Sequence, residues 1–211
     1  MKFNLHTHKS TSSENVLEII NQYPNEFDVT AKYFSIGIHP WYINTDRLDT
    51  DLAIIETKLQ EPNCLALGEC GLDKRIETSL ETQIEIFEKQ LILAKKYKKP
   101  VILHCVSAYQ EVIEIKKRML IEIPMVIHGF SKNIQVAQSL LDNGFYLSFG
   151  KYLLRNPELA SVFEQVPDDK FFLETDTIEE TLEEVYQKAS SIKSINIEMQ
   201  VENNFKRVFK M

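Results

Sequence analysis

Short, nearly continuous apolar runs recur along the chain, separated by longer stretches whose apolar residues fall three and four apart. Eight runs read as strands: KFNLHT (2–7), VLEII (16–20), KYFSIGI (32–38), CLALGE (64–69), PVILHC (100–105), PMVIHG (124–129), FYLSFG (145–150) and FFLETD (171–176). They are rich in β-branched and aromatic residues and show little alternation, as strands buried on both faces do. Segments 46–60, 79–98, 107–121, 132–142 and 157–165 read as helices, and two more close the chain near 178–191 and 196–209. Within 79–98, Leu80, Ile84, Phe87, Leu91 and Ala94 form one apolar stripe. Repeated strand–helix alternation implies a parallel sheet with helical crossovers. With eight strands the natural closure is a TIM (β/α)8 barrel, slightly trimmed. The second unit departs from the pattern, since only NQYPNEFDVTA separates its strand from the third. No linker or low-complexity segment interrupts the chain, so residues 1–211 are expected to form a single domain.

The polar residues at the ends of these runs change the picture from fold to chemistry. In barrel enzymes the reacting groups stand at the C-terminal ends of the strands. Here those ends carry His6-Thr7-His8, His39, Gly68-Glu69, His104, His128 and Glu174-Thr175-Asp176. All five histidines of the chain therefore fall at strand ends. Two residues apart on a strand, His6 and His8 share a face and can reach one cation. Alone that pair says little. Beside Glu69, His104, His128 and Asp176 it makes a mixed nitrogen and oxygen set, suited to zinc, manganese, iron or nickel. Six ligand residues exceed the four of a tetrahedral zinc, so two ions sharing a carboxylate fit better.

Composition narrows the function classes. The formal net charge is −7, which argues against a broad basic surface for nonspecific nucleic-acid binding. A nuclease that holds a short strand at a metal centre stays compatible with it. The three cysteines, Cys64, Cys70 and Cys105, include no CxxC, so neither a disulfide framework nor a zinc knuckle is expected. The opening MKFNLHTHKS places polar residues where a signal peptide needs its apolar stretch, and no run is long enough for a membrane helix. The expected setting is cytoplasmic.

The motifs also resemble, in order and over nearly the whole chain, the TatD-related deoxyribonucleases among the amidohydrolase-like metal-dependent hydrolases. The matching stretches are LHTH (5–8), GIHPW (37–41), LGECGLD (67–73), QIEIFEKQLILAKKYKKPVILHC (83–105), VIHGFSKN (126–133), FLETD (172–176) and the closing NNFKRVF (203–209). The resemblance implies that His6, His8 and Asp176 hold one divalent ion, that His104 and His128 hold a second, and that Glu69 bridges the two. It further implies that Asp176 orients or deprotonates the attacking water, with Glu69 sharing the catalytic centre. The ions could be Mg, Mn, Zn, Fe or Ni. Departures from the family pattern are KSTS after the HxH, CVSAY after His104, and a short segment after ETD, where DNA-contacting loop residues would be missing.

His39, Trp41 and Asp73 stand near this set as supporting or substrate-facing residues. Each also has a plainer reading: a structural histidine, a packed tryptophan, and a cap on the following segment. Cys70 and Cys105 are expected to pack as small apolar residues. Lys9, Lys74 and Lys132 follow strand ends and are expected to be solvated. The function expected is metal-dependent hydrolysis of a phosphodiester, with DNA or a small phosphoester as substrate and no obligate protein partner. Three rivals are a hydrolase of small amides or esters, a PHP-type phosphoesterase (which also begins HxH), and an inactive barrel scaffold.

Overall fold

A computed structural model describes residues 1–210 apart from Ser12, Ile178 and Glu179. Eight strands stand in sheet order β1 to β8. They are β1 (Lys2–Thr7), β2 (Val16–Gln22), β3 (Phe34–Ile36), β4 (Cys64–Asp73), β5 (Val101–Val106), β6 (Met125–Ile127), β7 (Phe145–Phe149) and β8 (Phe171–Leu173). The helices are α1 (Leu48–Lys58), α2 (Leu80–Tyr97), α3 (Tyr109–Arg118), α4 (Ile134–Asp142), α5 (Lys151–Arg155), α6 (Pro157–Gln165), α7 (Leu182–Ile192) and α8 (Ile197–Phe209). All eight expected strands are present, including the second, and every expected helix has its counterpart. The first two residues of the expected 178–191 helix lie outside the described residues.

The differences have local causes. β4 runs four residues past Glu69, because Cys70 to Asp73 keep parallel register with Leu103 to Val106 on β5. β3, β6 and β8 are shorter than expected, three residues each. Helix α5 was not anticipated: five residues are too few to show a helical period. On α2 the buried face is Gln83, Ile86, Phe87, Gln90, Leu91 and Ala94. Leu80 and Ile84 are only half-buried, so the expected stripe is rotated toward two glutamines.

The chain divides into two compact units, residues 1–20 with 126–211, and residues 21–125. In the first, β1 pairs in parallel with the start of β2, and β7 with β8. Helix α8 packs its Phe205 against Phe3 of β1 and Phe172 of β8. Its Asn204, within the closing motif, donates to the carbonyls of Asp168 (2.8 Å) and Phe171 (2.9 Å). The buried Tyr186 of α7 both donates to the Phe3 carbonyl and accepts its N–H, each at 2.9 Å. In the second unit, β4 pairs in parallel with β3 and β5, and α2 covers β4 through that buried face.

All three cysteines are free and buried, Cys70 and Cys105 as expected. Burial pushes the Cys64 thiol up from its ordinary 9.0 to about 12, and raises the Tyr186 phenol above its ordinary 10.0. Between pH 9 and 12 the folded chain therefore keeps a proton that the unfolded chain releases. Burial raises the Cys70 and Cys105 thiols as well, so stability is expected to fall above pH 9, by about 1.4 kcal/mol per pH unit for each thiol that stays protonated, and faster once Tyr186 joins. Urea-unfolding midpoints taken from pH 8 to 11 check this, and Cys64→Ala should make the decline shallower.

Candidate metal centre

In the first unit, β1 and the segment after β8 are stitched by polar contacts before the site begins. Asn4 donates from Nδ2 to Thr175 Oγ1 (2.9 Å) and accepts the Thr175 N–H at Oδ1 (3.1 Å). Two residues on, Asp176 donates its N–H to the His6 carbonyl (3.0 Å) and accepts the His8 N–H (3.2 Å). This parallel bridge sets Asp176 opposite Thr7, between the two histidines. Asp176 Oδ1 stands 3.8 Å from His6 Nε2 and 3.6 Å from His8 Nε2. One ligand atom from each of the three lies within 4.8 Å of the others. The Asp176 backbone is left-handed, φ 55°, a conformation that Asp tolerates better than most residues.

Lys151, at the start of α5, donates to Asp176 Oδ2 (3.0 Å) and to Thr177 Oγ1 (3.2 Å). Burial pushes the Asp176 carboxyl up, but the nearby His128, His6 and Lys151 outweigh it and hold the group below its ordinary 3.8. His128 lies with its ring 4.5 Å from that of His6. Its Nδ1 is 3.4 Å from Glu174 Oε1, which also accepts the Gly129 N–H at 2.7 Å. Glu174 is fully buried.

The second unit holds another cluster. Two glutamines seven apart on α2 reach inward from the same face. Gln90 clamps the Ile38 backbone, accepting its N–H (2.7 Å) and donating to its carbonyl (3.1 Å). Gln83 does the same for Asp73, at 2.8 and 3.0 Å. These clamps set the backbone of Asp73 and of the residue preceding His39. Glu69 falls where the β4–β5 register shifts, between Leu67 and Cys70, and its N–H donates to Asn21 Oδ1 (2.7 Å).

Glu69 Oε1 faces two imidazoles, His39 Nε2 at 3.1 Å and His104 Nδ1 at 3.0 Å. His39 Nδ1 accepts the Trp41 backbone N–H at 3.0 Å. A backbone N–H can only donate, so Nδ1 carries no proton and Nε2–H is left to donate to Glu69. On the far side of His104, Nε2 stands 3.2 Å from Asp73 Oδ2, which also accepts the Trp41 indole N–H at 2.7 Å. Asp73 Oδ1 accepts the Arg75 N–H. Burial pushes the Asp73 carboxyl up, but the bonds from Trp41, Arg75 and His104 prevail and keep it low. A carboxylate on one nitrogen of a histidine is the arrangement that orients the other nitrogen toward a metal.

Among the described residues, then, His6, His8 and Asp176 come together, and so do His39, Glu69 and His104. The first set offers two imidazoles and a carboxylate to one ion, and in the second His104 and Glu69 are the donors while His39, both nitrogens engaged, holds Glu69. His128 stands beside His6. Trp41 and Asp73 join each other through a hydrogen bond rather than packing or capping alone. Lys74 pairs with Glu111 on the surface. Sequence reasoning passed over Gln83, Gln90, Lys151 and the separate role of Glu174. The signal for the glutamines was present: two polar residues seven apart beside an apolar helical stripe.

Imidazoles and carboxylates gathered at the ends of parallel strands define the metal-dependent hydrolase class of site. The model of the TatD-related DNases matches residues 1–210, and the chain belongs to that family. It is 33% identical over 148 residues to the uncharacterized metal-dependent hydrolase YabD of Bacillus subtilis, covering 68% of this chain and 58% of that protein. It is 31% identical over 171 residues to the 3'-5' ssDNA/RNA exonuclease TatD of Edwardsiella piscicida, covering 79% and 64%. The chain thus spans about three fifths of the length of these curated relatives. The TatD homologue YJJV of Escherichia coli superposes with a TM-score of 0.79 at 23% identity, over 92% of this chain and 86% of that one. The fold is the TIM barrel. No helix among the described residues is long and apolar enough to cross a membrane.

Proposed function

We propose that this protein is a divalent-metal-dependent hydrolase that cleaves phosphodiester bonds in DNA, with residues 1–211 acting as one domain. His6, His8, Glu69, His104, His128 and Asp176 are the ligand residues of two ions, and Asp176 and Glu69 are the catalytic carboxylates. The observation that carries the reading is the His6–His8–Asp176 triangle, held by a backbone bridge and fed by Lys151. Two relatives support it by name, one a metal-dependent hydrolase and one an exonuclease on single-stranded DNA and RNA.

The chain's own groups suit the chemistry. Asp176 is a carboxylate whose carboxyl is held, against burial, below its ordinary 3.8 by His128, His6 and Lys151, and its position lets it orient an attacking water or take its proton. Lys151 engages Oδ2 and leaves Oδ1 turned to the histidines. His39 donates to Glu69 and keeps that carboxylate oriented. Asp73 does the same for His104 from the opposite side. A divalent cation bound there would acidify a water and offset negative charge growing on a phosphoryl oxygen.

End-labelled single- and double-stranded oligonucleotides, incubated with Mn²⁺ or Mg²⁺ and in parallel with EDTA, test this. Cleavage that requires the cation and is abolished by EDTA is the expected result. A chain that binds no divalent cation in a calorimetric titration sinks the reading. A second reading, a small ester or amide as substrate, is favoured by the net charge of −7. It takes over if metal binds and oligonucleotides stay intact while a small ester or amide is hydrolysed.

A further inference from the structure

We propose that Trp41 and Tyr42 form a platform on which an unpaired nucleic-acid base stacks beside the candidate metal centre. The proposal rests on the phosphodiester reading above and extends it to the residues of this chain that would hold a base of the strand. Trp41 is 57% exposed and Tyr42 53%, next to each other in a short helical turn, residues 40–42. Exposing two large aromatic side chains together forgoes burial that the fold could have used.

Trp41 is not a loose surface residue. Its indole edge is fixed by the 2.7 Å bond to Asp73, and its backbone N–H is bound to His39. The preceding Pro40 restricts the backbone at the start of the turn. A ring held by its edge presents its apolar body at little further entropic cost on binding. The ring centroid is 5.6 Å from that of His104 and 5.1 Å from that of His39, so the platform borders the His39–Glu69–His104 cluster. Tyr42 continues the row, 5.5 Å from His39 and 5.2 Å edge-on from Tyr23.

Charge suits the same occupant. Exposed Arg75, two residues past Asp73, the residue that anchors the indole, offers positive charge to a phosphate beside the platform, while the neighbouring Lys74 is paired with Glu111. Every base has a π-face, so such a platform binds without demanding sequence. In a duplex that face is covered by its neighbours, which makes an unpaired base the occupant.

Trp41 is the chain's one tryptophan, so its fluorescence reports this place alone. With EDTA present to prevent cleavage, the protein is titrated with a short oligothymidylate, an abasic strand of equal length, and a blunt duplex. Saturable quenching by the oligothymidylate, with little from the other two, is the expected result. Anisotropy of a labelled oligothymidylate should show Trp41→Leu binding about 5- to 100-fold more weakly. Trp41→Phe, which keeps a ring face and loses the N–H, should recover most of the affinity. Equal quenching by the abasic strand overturns the platform, and so does a Leu variant that binds like the parent. A Phe variant as weak as Leu overturns it too, because the effect would then run through Asp73. Quenching without metal-dependent cleavage of oligonucleotides would leave the platform standing and remove the phosphodiesterase reading. Cleavage without quenching would do the reverse.

Discussion

Replacing Asp176 by Asn is expected to lower metal-dependent hydrolysis by about 100- to 10,000-fold, the range that a positioned proton acceptor supplies. The argument is local. Asp176 Oδ1 faces His6 and His8, and Oδ2 accepts from Lys151. Asn keeps the size and can still accept from the lysine, but carries no charge and cannot take a proton. Metal affinity should fall with activity, read by calorimetric titration. The fold should survive, since the backbone bridge of residue 176 to His6 and His8 does not use the side chain. The pH sign follows from the lowered carboxyl. Its charged form stabilises the fold above its ordinary 3.8, and this is lost as pH falls through the folded value. Any stability difference between variant and parent should therefore vanish at the acid end. An Asn variant with full activity and full metal affinity would remove Asp176 from the centre.

The second large effect falls on stability. Gly71→Ala is expected to destabilise the fold by about 2–6 kcal/mol, combining backbone strain of about 1–3 with overpacking of about 1–3. Gly71 has φ 142°, and a methyl group there would stand 2.0 Å from the His104 carbonyl oxygen. Backbone cannot yield as a flexible side chain can, so β4 and β5 would have to part at the Gly71–His104 pair. Gly68, at φ 138°, is similarly crowded by the Ile102 carbonyl at 2.4 Å. The glycines of GECG thus let β4 approach β5 on either side of Glu69. Urea unfolding with an unchanged slope and a much lower midpoint is the expected observation. A midpoint equal to the parent's would show that the strands can adjust at little cost.

The same residues show how far the chain could be read before its structure. The eight strands were visible because buried parallel strands leave unbroken apolar runs, and polar residues at their ends mark where each run stops. His8 and His128 directly follow β1 and β6, His6 and His104 lie one and two residues inside the ends of β1 and β5, and His39 lies three residues past β3. The continuation of β4 through Cys70 to Asp73 was not visible. It depends on a register with β5 that two glycines permit, and spacing within one strand says nothing about its neighbour. Gln83 and Gln90 were read past because a helical stripe is defined by apolar residues, while their partners are backbone groups far away in sequence. Lys151 belongs to a helix too short to have a period.

What the residue order settled was therefore local and periodic: which segments are strands, which are helices, and which polar side chains sit at strand ends. Those follow from backbone geometry and apolar burial, which act over a few residues at a time. Which polar atoms meet was settled in three dimensions. His39 became a donor to Glu69 because the Trp41 N–H occupies its other nitrogen, and Asp73 came to serve both Trp41 and His104. A buried polar group must find a partner wherever the packed chain places one. That condition acts between segments tens of residues apart, and no spacing along the chain records it.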